Sequence, residues 1–203
     1  ANGEMDGIAT DVMKQVLHEA GLDYEIELLA WKRAYKKAKE NKNVLLYTVY
    51  KLKPRQNDFQ WICPLINTPG VAVYSLSTRD DIKINDIEEL KRYSIGTINT
   101  GWTLEYLKYN GFIPGHHLDL SREESANLRK LLSGRIDLVV QEKELIDLRL
   151  INLGGHSSLV KQVFTLLTDE HKEGCMATSH KTPTYVVNRL RQALIKVREN
   201  QFK

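Results

Sequence analysis

The chain runs through a helix-period and strand-period alternation, breaks, and then starts the alternation again. Ile8, Val12, Met13, Val16, Leu17 and Ala20 recur at helical spacing and Gly21 follows as a stop, which predicts a helix from about residue 7 to 20. Tyr24, Ile26 and Leu28 alternate with Glu25 and Glu27 and read as a strand. A second helix is predicted over Trp31 to Glu40. Val44 to Val49 is nearly all apolar, as expected of a strand buried on both faces. Helix, strand, helix, strand is the order of an α/β sheet. Asn67-Thr68-Pro69-Gly70 then interrupts the pattern.

Beyond the break, Val71 to Leu76 reads as a strand. Asn85 with Glu88 resembles a capping box, opening a short helix to Tyr93. Ser94 to Ile98 is a predicted strand and Trp102 to Asn110 a helix stopped by Gly111. Ser121 and Glu124 have capping-box spacing, which predicts a helix through Leu132 with Gly134 near its end. Ile136 to Val140 reads as a buried strand, Glu142 to Leu150 as a helix and Val160 to Leu167 as a strand. Thr182 and Pro183 place a cap and a first-turn proline before the last helix. Its apolar face is Val186, Val187, Leu190, Ala193, Leu194 and Val197.

The 203 residues suit two α/β lobes of roughly 100 residues each better than a barrel, which takes about 250. At 42% hydrophobic and 27% charged the composition is that of a globular protein. Apolar runs reach only about seven residues, against about 20 for a membrane-spanning helix. The 29 basic residues exceed the 26 acidic ones by three, too little to predict nucleic-acid binding. The basic run Lys32, Arg33, Lys36, Lys37, Lys39 and Lys42 reads as a solvated helix face. His116-His117 lacks the spacing of a helical metal site and the other histidines are scattered, so no metal or cofactor is expected. Cys63 and Cys175 are too few for a disulfide scaffold; they form one bridge or stay two buried thiols.

Five segments in order resemble the periplasmic solute-binding proteins of ABC uptake systems, in the polar amino-acid-binding branch. They are Gly3-Glu4-Met5-Asp6-Gly7-Ile8-Ala9-Thr10-Asp11-Val12, Ala30-Trp31-Lys32-Arg33-Ala34, Lys53-Pro54-Arg55 with Phe59 to Leu65, Ser94-Ile95-Gly96, and Leu131 to Val140 with its Gly134-Arg135-Ile136-Asp137. The resemblance implies a two-lobed type II periplasmic-binding-protein-like fold. Each lobe would be a mixed sheet flanked by helices, with hinge strands joining the two. Lobe 1 would comprise residues 1–70 and 175–203, lobe 2 residues 71–174. The family's opening strand has no counterpart in the sequence. Other departures are Leu52 for the Thr before the binding Arg, Thr100-Gly101-Trp102 at the second-lobe turn, and Asn43 for an Asp.

The same resemblance assigns a ligand site gripped between the lobes. Arg55 matches the residue that holds a ligand carboxylate, which the planar guanidinium does with two hydrogen bonds; on residue type alone it reads as a surface arginine beside Pro54. Glu142 matches an acid that pairs with a ligand ammonium, one methylene longer than the usual Asp; the alternative is a helix N-terminal acid. Trp31, Tyr47, Trp61 and Trp102 are candidates to line the cleft, or else core aromatics. Asn99, Thr100 and Thr103, at the start of a helix, suit an oxyanion or serve as ordinary caps.

The expected function is capture of a small polar solute, an amino acid or a related compound, in the periplasm for an inner-membrane ABC permease. The alternative is the ligand-sensing domain of a membrane receptor carrying its own transmembrane signalling module. A dehydratase-like enzyme ranks below both: no nucleophile-and-base pair, metal spacing or phosphate loop is present, and Glu142 is the sole acid–base candidate.

Overall fold

The structure is a computed structural model, and it describes residues 7–68, 70–166 and 173–201. Gly3 to Asp6 of the opening motif, Pro69, Leu167 and His171 lie outside the described residues. Among the described residues the helices and strands follow in the order α1 (Ile8–Glu19), α2 (Trp31–Glu40), β1 (Leu46–Tyr50), β2 (Gln60–Asn67), β3 (Val71–Leu76), β4 (Ile95–Ile98), α3 (Trp102–Tyr109), β5 (Leu118–Ser121), α4 (Glu124–Leu132), β6 (Leu138–Glu142), α5 (Ile146–Asn152), β7 (Val160–Thr165), β8 (Glu173–Thr178) and α6 (Thr184–Gln201). They divide into two compact units. Unit 1 takes in residues 7–68 and 173–201, unit 2 residues 70–166.

Unit 1 is built on a three-stranded sheet in the order β1-β8-β2, antiparallel at both pairings. Strand β8 supplies both faces of the core by simple alternation. Met176 joins Ile62 and Leu65 of β2 under α1 and α6, whose Val16, Val187 and Leu194 are buried. Cys175 and Ala177 face the opposite way, with Val49, Phe59, Trp61 and Ala38 of α2. Cys63 and Cys175 form a disulfide across neighbouring strands, with a Cα–Cα distance of 4.7 Å and a sequence separation of 112.

Unit 2 is a five-stranded mixed sheet, β5-β4-β6-β3-β7. Strand β4 runs parallel to β5 and β6, and β3 runs antiparallel to β6 and β7. The apolar runs at β3 and β6 have their expected cause, because both faces are covered. Val71, Val73, Leu138 and Val140 pack under Leu107 and Phe112, while Ala72, Tyr74 and Val139 pack under Leu128 and Leu131 of α4 and Leu150 of α5. Gly96 in β4 is required by close approach: a Cβ there would sit 2.5 Å from Ile136 Cδ1 and 3.2 Å from Asn127 Cβ.

Five sequence expectations are corrected. Val44 to Val49 is not a strand buried on both faces: β1 spans Leu46–Tyr50 at the edge of its sheet, with Thr48 exposed. Tyr24 to Leu28 is not a strand: the segment has no ladder partner among the described residues, and Leu28 is 82% exposed. Alternation marks which side chains would share a face, but a strand also needs a neighbour for its N–H and C=O groups. The helix expected from Asn85 shrinks to a 3-10 turn at Glu89–Arg92. Its box is shifted by one residue, with Asn85 N–H donating to Glu89 Oε2 and Glu89 N–H to Asp86 Oδ1. Ser121 is no cap: it ends β5 opposite Ile98, its hydroxyl accepts from Lys130 Nζ, and α4 begins at Glu124. Strand β6 runs on through Glu142, paired to Val71, so Glu142 is a strand-end acid and not the start of a helix. Strands β2, β5 and β8 were not predicted from the sequence.

Candidate functional site

In unit 2, a concavity of about 80 Å³ opens beyond the ends of β4 and β6. Its lining brings together Thr100, Trp102, Thr103 and Glu142 from the predicted set, and adds Gly101, Glu124, Gln141 and Arg149. The position follows from the sheet, because parallel strands deliver helix N-termini and loop residues to their carboxyl ends.

Gly101 shapes one wall. It caps α3 at φ 95° and ψ −179°, a conformation essentially restricted to glycine. The cap therefore has no side chain, and the first-turn N–H groups of α3 carry the positive end of the helix dipole beside the Thr100 and Thr103 hydroxyls. Asn99 is exposed and its N–H donates to Ser121 O at 2.8 Å; it is not in the lining.

The opposite wall is a run of charged and amide groups. Gln141 is 2% exposed, and its Nε2 donates to Glu124 Oε2 at 2.8 Å. Its Oε1 accepts from Arg149 Nη1. Arg149 Nη2 lies 3.7 Å from Glu142 Oε2. Burial holds the Glu124 carboxyl above its ordinary range, and the nearby Glu142 charge adds to the effect; the Arg149 charge and the Gln141 and Asn127 hydrogen bonds oppose it without cancelling it.

In unit 1, Arg55 closes the 3-10 turn Lys53–Arg55 after β1 and is only 3% exposed. Its guanidinium carbon stands 5.4 Å from the centre of the Trp31 ring, within cation–π range. Trp31 begins an aromatic chain through Tyr35, Phe59 and Trp61, with ring centres 5.6, 5.0 and 5.6 Å apart. Trp61 is 8% exposed and its indole N–H donates to Gln56 O at 2.8 Å, the burial and pairing of a core aromatic. Tyr47 is half-buried beneath α1, with its hydroxyl 3.2 Å from Thr10 Oγ1.

The sequence reading passed over Thr48, which holds φ 60° inside β1, at the register shift between Leu46 and Val49. A β-branched residue with positive φ is strained, and such strain concentrates where a backbone is aimed at something. No sequence signal marks it. Asn43 also has positive φ, 58°, and its N–H donates to Thr182 Oγ1; asparagine suits that conformation, which gives its presence there a local reason. Glu124, Gln141 and Arg149 were missed as a group because they meet only when α4, β6 and α5 are packed.

The basic face of α2 is solvated, and three of its cations pair with acids of unit 1: Lys36 with Glu40, Lys37 with Glu27, and Lys39 with Asp58. A shallow depression of about 420 Å³ on α1 holds none of the predicted site residues. Among the described residues no three metal-ligating side chains converge, and no helix is long and apolar enough to cross a membrane.

No protein-family model matches the chain, and no curated protein does. Solved structures do. A histidine kinase sensor domain similar to periplasmic binding proteins aligns with 98% of this chain and 83% of its own, at a TM-score of 0.74 and 19% identity. A structure concerned with glutathione import in Gram-positive bacteria and the cystine importer of Streptococcus mutans gives a TM-score of 0.72 over 99% of this chain and 83% of its own, at 17% identity. An ancestral arginine-binding protein bound to arginine gives 0.70 over 98% and 85%, at 19% identity. The shared feature is the fold: each unit is an α/β layer of the type II periplasmic-binding-protein kind. One of these neighbours is a sensor domain and another is bound to arginine.

Proposed function

We propose that this chain is an extracytoplasmic solute-binding protein that captures an amino acid or a related zwitterion for an ABC-type importer. The observation that carries the reading is the unit 2 concavity, where Thr100, Trp102 and Thr103 at the start of α3 meet Glu142 at the end of β6. The glycine-capped start of α3 and the two hydroxyls favour a carboxylate, and Glu142 favours an ammonium. In unit 1, Arg55 has the chemistry to hold a carboxylate with two hydrogen bonds, and Trp31 gives its guanidinium an aromatic face to rest on. The Cys63–Cys175 disulfide supports an oxidising compartment.

Isothermal titration with the standard L-amino acids tests it. At least one should bind. Glu142→Gln and Arg55→Met should each weaken that binding by about 2–5 kcal/mol, the usual loss for truncating a desolvated charge pair. Unchanged affinity in both variants overturns the site assignment.

A second reading, the sensory domain of a membrane receptor, is favoured by the likeness to a histidine kinase sensor domain. Stimulation of an amino-acid importer's ATPase in proteoliposomes by the loaded protein supports delivery. Binding without any such stimulation supports sensing.

A further inference from the structure

Two carboxylates rarely share a small pocket wall without a device that keeps them there. Glu124 comes from the first turn of α4 and Glu142 from the end of β6. Between them lie Gln141 of β6 and Arg149 of α5. The amide of Gln141 has a fixed orientation: Oε1 faces the Arg149 guanidinium, which can only donate, so Nε2 must face Glu124. The same guanidinium reaches toward Glu142 with its second terminal nitrogen. One cation thus contacts one acid directly and the other through a buried amide.

We propose that Arg149 is the positioning residue of the unit 2 pocket, a single guanidinium that holds Glu142 and, through Gln141, Glu124 on one wall, so that a ligand's cationic group meets two oriented carboxylates sharing one positive charge. The inference rests on the reading of this wall as the place for the ligand's ammonium, and it adds Glu124 and Arg149 to that reading. A flexible ammonium in place of Arg149 would supply the charge but not the two-pronged geometry. With its charges balanced to one net negative, the wall suits a singly charged ammonium; without Arg149 it would suit a dication.

The test reads the Glu124 carboxyl of the ligand-free protein by carbon-13 NMR titration, so failure of amino-acid binding and failure of this proposal are separate results. The groups facing Glu124 are Gln141 and Glu142 of β6, Arg149 of α5 and Asn127 of its own helix. Arg149→Met should raise the Glu124 midpoint by about one pH unit or more, since an opposite charge is withdrawn and a like charge remains. Arg149→Lys should restore only part of the shift, because lysine keeps the charge but loses the fork. Should Arg149→Met fail to fold, Glu142→Gln should lower the Glu124 midpoint by removing the like charge. A Glu124 midpoint that stays in place in Arg149→Met, or in Glu142→Gln where that variant is needed, overturns the proposal; so does full restoration by Arg149→Lys.

Discussion

The two units solve the same packing problem with different amounts of sequence-local information. Unit 2 makes its sheet from one continuous stretch, 70–166, and most of its strands are joined by short helices. Unit 1 places β8 in the middle of its sheet, between β1 and β2, so its central strand is supplied by chain more than 100 residues later: Ile62 pairs with Met176. Loop closure of that length must be met before any of those pairings form. The disulfide lies on this seam, joining β2 to β8. Unit 1 therefore depends on a covalent tie where unit 2 depends on local order.

The three tryptophans make the contrast measurable, because Trp31 and Trp61 report on unit 1 and Trp102 on unit 2. The largest effect is expected from Cys63→Ala with Cys175→Ala. The chain-entropy model gives about 4–5 kcal/mol for a loop of this size. Urea unfolding followed by single-tryptophan variants should show the unit 1 transition falling by that amount while the Trp102 transition keeps its midpoint. Equal movement of both transitions would erase the distinction between the units.

Next comes Asp137→Ala in unit 2. Asp137 accepts from Arg79 Nη1 at 2.8 Å and from both the N–H and hydroxyl of Ser94, tying the start of β4 to the chain before β6. Losing these should destabilise unit 2 by about 2 kcal/mol, kept moderate by the part exposure of the Arg79 pair. Burial pushes the Asp137 carboxyl up, but the Arg79 and Ser94 hydrogen bonds outweigh it and the net direction is down. A lowered folded value means the contribution is present above the unfolded value of about 3.9 and is lost as pH falls through the folded one. Glu124 has the opposite sign: its raised value makes its contribution greatest below about 4.3 and loses it as pH rises through the folded value. Wild type and Asp137→Ala should therefore converge in acid-unfolding curves read at Trp102.

Gly96→Ala should cost about 1–3 kcal/mol in unit 2, because the new methyl meets Ile136 and Asn127 in a filled core. Thermal melts would show a lower Trp102 midpoint and an unmoved unit 1. The smallest effect belongs to unit 1. Tyr35→Phe removes the 2.6 Å bond to Asp58, and a loss of about 1 kcal/mol or less is expected at the Trp31 and Trp61 signals.

The helices and buried strands that the sequence makes plain are those whose pattern is self-contained. Trp31–Glu40 and Val71–Leu76 fall where periodicity places them, and Gly101 and Gly111 bracket α3. The candidate site is partly readable for the same reason. Thr100, Trp102 and Thr103 open a predicted helix and Glu142 directly follows a predicted buried strand, although the pattern puts Glu142 at a helix start and the structure puts it at the strand's end.

What the sequence by itself determined is the run of local periods, the break before unit 2, and the residues poised at strand ends. Tertiary structure decided whether each pattern found a partner. Tyr24 to Leu28 has a strand's alternation and no strand beside it, while β8 joins its sheet from far along the chain. Arg149, Gln141 and Glu124 acquire their relation only through the packing of α5 and α4 on β6. The physical reason is the same in each case: side-chain period records the face a segment would bury, whereas hydrogen bonds and ion pairs depend on which distant segment fills the facing position.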